Sequence, residues 1–195
     1  MHVDGLLLAA GAGTRMGRPK ALVEGDDGTP WLHAALLRLQ EGGCRRVTVV
    51  LGASAEEAAP LLATAPVTHQ DLHVVVAADW AEGMGASLRR GLAALDPHAD
   101  AALVTLVDLP DVTAEVVRRV VAAATGPDVL ARATYAGNPG HPVLIGRDHW
   151  DAVRETATGD KGARDYLAAH DVVAVECGDL ASGQDVDTPA RSSGG

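Results

Sequence analysis

Gly5-Leu6-Leu7-Leu8-Ala9-Ala10-Gly11-Ala12-Gly13-Thr14-Arg15-Met16-Gly17-Arg18-Pro19-Lys20 joins a short apolar run to a turn rich in glycine. The run, with Val3 before it, has no polar alternation, so it reads as a strand buried on both faces. Val47–Leu51, Val74–Ala77 and Ala102–Val107 repeat the type, and Val129–Ala131 does so more weakly. Helical patterns lie between them. Trp31, Leu32, Ala35, Leu36 and Leu39 share one face, with Thr29 as expected N-cap and Pro30 at the first helical position. Leu88, Leu92 and Leu95 form a second stripe. Val116, Val117, Val120 and Val121 form a third, behind Thr113 as cap. Strands alternating with helices imply right-handed crossovers and parallel pairing. The expected fold is therefore α/β, a Rossmann-like three-layer sandwich around a mostly parallel central sheet.

The rhythm then changes. Tyr135–Ile145 is rich in Gly and Pro and suits a hairpin or antiparallel excursion. Helices around Trp150–Thr156 and Ala163–His170 and a strand at Val172–Val175 follow. Residues 1–189 are expected to form a single domain, with 190–195 as a flexible tail. The 195 residues are 47% hydrophobic with no Phe, so Val, Leu and Ala must fill the core. That apolar fraction excludes a disordered chain. No apolar run reaches the ~18 residues of a membrane span, and Asp4 interrupts the N-terminal region, so neither membrane insertion nor a secretory leader is expected. Cys44 and Cys177 lack metal or redox spacing and fit reduced thiols in a cytoplasmic protein. The net charge of −10, with no basic run longer than a pair, excludes a nucleic-acid partner.

Glycines directly after a buried strand let the backbone turn and bring its amides close to phosphate oxygens. Two familiar loops fail here. A Walker loop needs Gly-Lys-Ser/Thr, and the dinucleotide fingerprint needs its third glycine one place earlier than Gly17. An acidic residue is also missing after the second strand, where Leu51-Gly52-Ala53 stands, which disfavours a nicotinamide or flavin oxidoreductase. What remains is a phosphate loop with two cations, Arg15 and Lys20, one a planar fork and the other a point charge. Asp108 closes the Ala101–Val107 run, at the sheet edge where α/β ligands bind, and offers a hard oxygen to a divalent cation.

Leu8–Lys20 resembles the LAAGxGxRMGxPK signature of the MobA-like nucleotidyltransferases, most closely their molybdenum cofactor cytidylyltransferase branch. Gly83-Met84-Gly85-Ala86-Ser87-Leu88, Val107-Asp108-Leu109-Pro110, Gly140-His141-Pro142-Val143 and Asp185-Val186-Asp187-Thr188-Pro189 resemble later blocks of that group, in order. The resemblance implies a nucleotide-diphospho-sugar transferase-like fold and transfer of a nucleoside monophosphate from an NTP to a phosphorylated acceptor, with Mg²⁺ and release of pyrophosphate. It makes Arg15, Lys20 and Asp108 the catalytic residues and Asp108 with Asp187 the metal ligands, Asp185 being a lesser candidate. Asp111 reads as a surface turn residue.

The nucleotide is expected on Leu8, Ala9, Ala10, Gly11, Gly13, Arg15, Lys20, Gly85, Ser87 and Asp108. Guanylyl-specific relatives tend to carry glycine where Ala10 stands, so its methyl favours CTP over GTP. His141 resembles a residue near the acceptor. Lys161 and Arg164 stand at an expected helix start, which the helix dipole disfavours unless an anion is near. The acceptor implied is molybdopterin, with a molybdoenzyme or its maturation factor as possible partner. A transferase for another phosphorylated acceptor and a non-catalytic molybdopterin carrier are the rival readings.

Overall fold

The computed structural model describes residues 1–14 and 16–186, without the side chain of His69. Arg15, Asp187 and the expected tail 190–195 thus lie outside the described residues. Seven strands form one sheet: β1 (Val3–Ala9), β2 (Val47–Leu51), β3 (Leu72–Val76), β4 (Ala101–Leu106), β5 (Leu130–Tyr135), β6 (Asn138–Gly146) and β7 (Val173–Glu176). Their order is β3-β2-β1-β4-β6-β5-β7, and every pairing is parallel except the two made by β6. The mostly parallel α/β sandwich expected from the sequence is the fold observed.

The central strand shows why its sequence lacks alternation. Leu7 and Ala9 enter the core on one face, and Leu6, Leu8 and Ala10 enter the core on the other. The first face is covered by α1 (Trp31–Glu41), α2 (Ala55–Ala63) and α4 (Ala114–Val121), through Leu36, Leu39, Val116 and Val120 among others. The second is covered by α3 (Met84–Ala93), α5 (Trp150–Thr156) and α6 (Arg164–Ala168), through Leu88, Leu92, Trp150, Val153 and Leu167. Each fully buried Leu or Val contributes roughly 1.5–3 kcal/mol relative to exposure, so aliphatic side chains carry most of a core in which Trp31, Tyr135 and Trp150 are the buried aromatics.

Three local readings are corrected. Helix α1 begins at Trp31, with Pro30 in the capping position at φ −57° and ψ 133°, so Thr29 is not the cap. Helix α2 was not foreseen: it contains Pro60 and buries only Ala58 and Leu62, a stripe too narrow to show as periodicity. The Tyr135–Ile145 region is a hairpin, as expected, but it belongs to the main sheet, β6 pairing with β4 across Val104 and Val143. Thr113 does cap α4, its side chain accepting the amide of Val116.

The β5–β6 turn places Ala136 at φ 51° and Gly137 at φ 79°. Positive φ at both central residues suits the twist of a two-residue hairpin but strains alanine. Glu176 compensates. Its carboxylate accepts the amides of Ala136, Gly137 and Gly178 and the Thr134 hydroxyl, at 2.9–3.1 Å. These bonds hold the Glu176 carboxyl below its ordinary range, the Gly178 amide contributing most. A depressed folded pKa adds stability above the unfolded value, and that stability is lost as pH falls through the folded one. Glu176→Gln should therefore lower Tm at pH 7, and the gap to wild type should close as pH falls through the depressed range of the carboxyl, as followed by thermal melts across pH.

Candidate active site

Parallel pairing of β1 with both β2 and β4 brings their carboxyl ends to one edge, where the glycine loop and the Asp108 turn meet. The loop is folded back on itself. Gly13 has φ +60°, and a Cβ there would lie 1.9 Å from the Arg18 carbonyl oxygen, so only glycine fits. The Met16 amide donates to the Gly13 carbonyl at 2.9 Å. Pro19, at φ −56° and ψ 133°, then feeds a 3-10 turn over Lys20–Leu22. From that turn the Lys20 ammonium forms an ion pair with Asp108 Oδ2 across 88 residues of chain. The two groups on which the phosphate-transfer reading rests are thus in direct contact.

Asp108 is 7% exposed, and its turn is fixed from two sides. The Arg38 guanidinium, on α1, donates to the carbonyls of Leu109 and Pro110 at 3.1 and 2.7 Å. The Val186 amide donates to the Asp108 carbonyl at 3.0 Å, which brings the Asp185-Val186 segment to this edge. Asp111 is no mere surface turn residue. Its Oδ2 accepts the Ser182 amide at 2.7 Å and the Ser182 hydroxyl at 2.5 Å, pinning the C-terminal segment beside the site.

Two adjoining cavities open here. The first, of about 420 Å³, is lined by the run from Leu8 to Thr14 with Lys20, Ser87 and Asp108. A Cβ on Gly11 would meet no atom of the described residues within 4 Å, so among them this backbone faces open space. Ser87 is 3% exposed and reaches the cavity wall from α3. Gly85 does not share that role: a Cβ there would lie 2.8 Å from the Thr158 amide, so its smallness serves the contact between α3 and the 157–158 segment. The second cavity, of about 560 Å³, is lined by His141, Lys161, Arg164 and Asp185 and shares Leu8, Met84, Leu106 and Asp160 with the first. Burial, then the positive charge of Arg132, pushes the His141 imidazole down to about 4, with Arg164 acting the same way and Asp185 against it. His141 is therefore neutral near pH 7. Lys161 pairs with Asp165 at 2.8 Å.

Sequence reasoning passed over Arg38, Trp80, Asp160 and Arg132. Trp80 lines the first cavity, and it is less buried than Trp31 and Trp150, both in the core. Asp160 lies at the junction of the cavities. Arg132 lines the second; its signal was a lone cation within an apolar strand. For a divalent cation the donor chemistry fits: a buried carboxylate oxygen at a strand end, beside a cavity whose other ligands would be phosphate oxygens and water. Among the described residues no group of three His, Cys, Asp or Glu is placed to hold a metal without such help. No described helix is long and apolar enough to cross a membrane, and Cys44 and Cys177 are free and buried.

Comparison with known proteins decides the family. Residues 5–174 match the MobA-like NTP transferase domain. The chain belongs to that family. It is similar to the nicotine blue oxidoreductase of Paenarthrobacter nicotinovorans, 36% identical over 95% of this chain and 92% of that protein. Among solved structures it resembles Rv0371c of Mycobacterium tuberculosis H37Rv, 30% identical with a TM-score of 0.76 over 96% of this chain and 94% of that one. A manganese complex of Rv0371c is 27% identical, with a TM-score of 0.71 over 91% and 89% of the two chains. The MobA-like chain is thus a nucleotidyltransferase in family and fold.

The cradle gives a direct check. Gly11→Ala should leave Tm unchanged, because the added methyl meets no atom of the described residues. It should weaken binding of an Mg²⁺–nucleotide complex by about tenfold or more, since the methyl takes ligand space. Trp80 fluorescence offers the titration signal.

Proposed function

We propose that this MobA-like enzyme transfers CMP from CTP to the terminal phosphate of molybdopterin, releasing pyrophosphate. The observation that carries the reading is the meeting of Lys20 and Asp108 over a glycine cradle, beside a second cavity able to hold an acceptor. In this reading the amides from Ala10 to Gly13 cradle the phosphates, and Lys20 neutralises charge that develops on the phosphoryl oxygens. Arg15 is proposed as a second phosphate cation. Asp108, with Asp187 in the role its motif implies, would hold Mg²⁺. When bound, that ion would draw charge from the α-phosphate and the departing pyrophosphate.

The acceptor's phosphate is already ionised at neutral pH, so it needs no general base. The lowered His141 imidazole agrees with this: it can orient an acceptor by hydrogen bonding but is too weakly basic to remove protons at pH 7. Lys161 and Arg164 are the proposed acceptor cations beside it. Ala10 lines the nucleotide cavity and is 6% exposed, which supports a narrow base pocket and CTP over GTP. The reading also places the enzyme in the cytoplasm, as a single domain over residues 1–189, acting ahead of a molybdoenzyme or its maturation factor. GTP or a different phosphorylated acceptor would use the same phosphate machinery.

Oxidoreduction is a second reading, favoured by the 36% identity to a nicotine blue oxidoreductase. The rival carrier reading leaves the Lys20–Asp108 pair without a task. One assay separates the three: the protein is incubated with Mg²⁺, each NTP and molybdopterin, and pyrophosphate is scored. A parallel sample with a reduced nicotinamide and an oxidised dye is scored for hydride transfer. Pyrophosphate release with CTP above GTP supports the proposal; dye reduction without it supports the second reading. In the transferase assay Lys20→Ala should lower turnover on the order of 10²–10³-fold, as for loss of one preorganised donor.

A further inference from the structure

Arg132 breaks the pattern of its strand. On β5 its neighbours Ala131 and Ala133 are fully buried in the core, while Arg132 faces the other side, into the second cavity. Its Nε is buried and has no hydrogen-bond partner among the described residues. Arg164, at the exposed start of α6, lines the same cavity and makes no hydrogen bond or ion pair among the described residues. The two guanidinium groups repel each other, and burial and then Arg164 both act to weaken the Arg132 charge.

The arginines on the other described α-helices all have partners. Arg38, Arg89, Arg90, Arg118, Arg119 and Arg154, on the other described α-helices, each donate to a carboxylate or a backbone carbonyl. Asp160 and Asp185 line the cavity with Arg132, yet neither forms an ion pair with it or with Arg164 among the described residues. Lys161 is turned to Asp165. A protein of net charge −10 thus keeps two guanidinium groups on the wall of one cavity, Arg132 half-buried and Arg164 exposed, with no acidic partner among the described residues. Such an arrangement loses its desolvation and repulsion penalties only when an anion enters.

We infer that Arg132, with Arg164, forms the receptor for the acceptor's phosphate monoester in the second cavity. Two forked guanidinium groups match a tetrahedral dianion better than a single carboxylate, and each can bond two oxygens at once. The shared wall of Leu8, Met84, Leu106 and Asp160 puts that dianion next to the nucleotide cavity, where a phosphate nucleophile has to stand. His141 adds a neutral hydrogen-bonding edge without a third positive charge. The inference rests on the transferase reading for the identity of the anion, not for the existence of the anion site.

Inorganic phosphate is the probe. Its binding is measured by calorimetry on the full chain, first alone and then with Mg²⁺ and α,β-methylene-CTP filling the nucleotide cavity. Arg132→Met should weaken phosphate binding at least tenfold, a loss of about one charge-assisted contact. Arg132→Lys should fall between, and nucleotide affinity by Trp80 fluorescence should be unchanged in both. Arg164→Met, at an exposed position that cannot upset folding, should weaken phosphate binding in the same direction. Unaltered phosphate affinity in Arg132→Met and Arg164→Met, or no phosphate binding to wild type, overturns the assignment. Phosphate bound through Arg132 in a protein that does not bind the nucleotide would sustain the arginine receptor and count against the transferase reading alone.

Discussion

The ion pair between Lys20 and Asp108 joins two turns that are far apart in the chain and adjacent only because β1 and β4 pair in parallel. All other features of the site are arranged around that contact. The glycine loop must fold back to aim the ammonium, and this is why Gly13 tolerates no side chain. The aspartate must stay at its strand end, and Arg38 from one layer and Val186 from the C-terminal segment hold its turn by backbone carbonyls. In the proposed transferase reading, a cation and a carboxylate held ready in this way need not be gathered when a triphosphate arrives. The preorganisation is electrostatic, and its reorganisation was completed during folding.

The division of the edge into two cavities follows from the sheet order. To one side of Asp108, β1 and the start of α3 shape a space with backbone amides and few side chains. To the other, the reversed strand β6 and its hairpin partner β5 bring His141 and Arg132 into a space lined by charge. The antiparallel insertion is therefore what lines the second cavity with charge in an otherwise regular parallel sheet. Glu176 matters at a distance, since it secures the strained Ala136 turn that connects those two strands.

Much of this was readable from the chain itself. The two-sided strands announced themselves as unbroken Val and Leu runs, and the tight turn after β1 was visible in the spacing of Gly11, Gly13 and Pro19. Helix α2 escaped because an Ala-rich segment with an internal proline carries no stripe. Arg38 escaped because its role is to bond carbonyls of a turn 71 residues away, a relation that only tertiary packing creates. Gly85 looked like part of a helix-start ligand site, yet its missing side chain accommodates the Thr158 backbone. Arg132 was hidden for the opposite reason: a single cation in an apolar strand reads as an edge residue until its face is known.

Metal binding offers the most direct trial of a shared triphosphate between Lys20 and Asp108. Mn²⁺ can be titrated by electron paramagnetic resonance into wild type and Asp108→Asn, each with and without α,β-methylene-CTP. If the two side chains face one nucleotide, wild type should bind Mn²⁺ tightly only when the analogue is present, and Asp108→Asn should lose at least tenfold in affinity. Equal Mn²⁺ affinity in both proteins, with the nucleotide still bound, would contradict it.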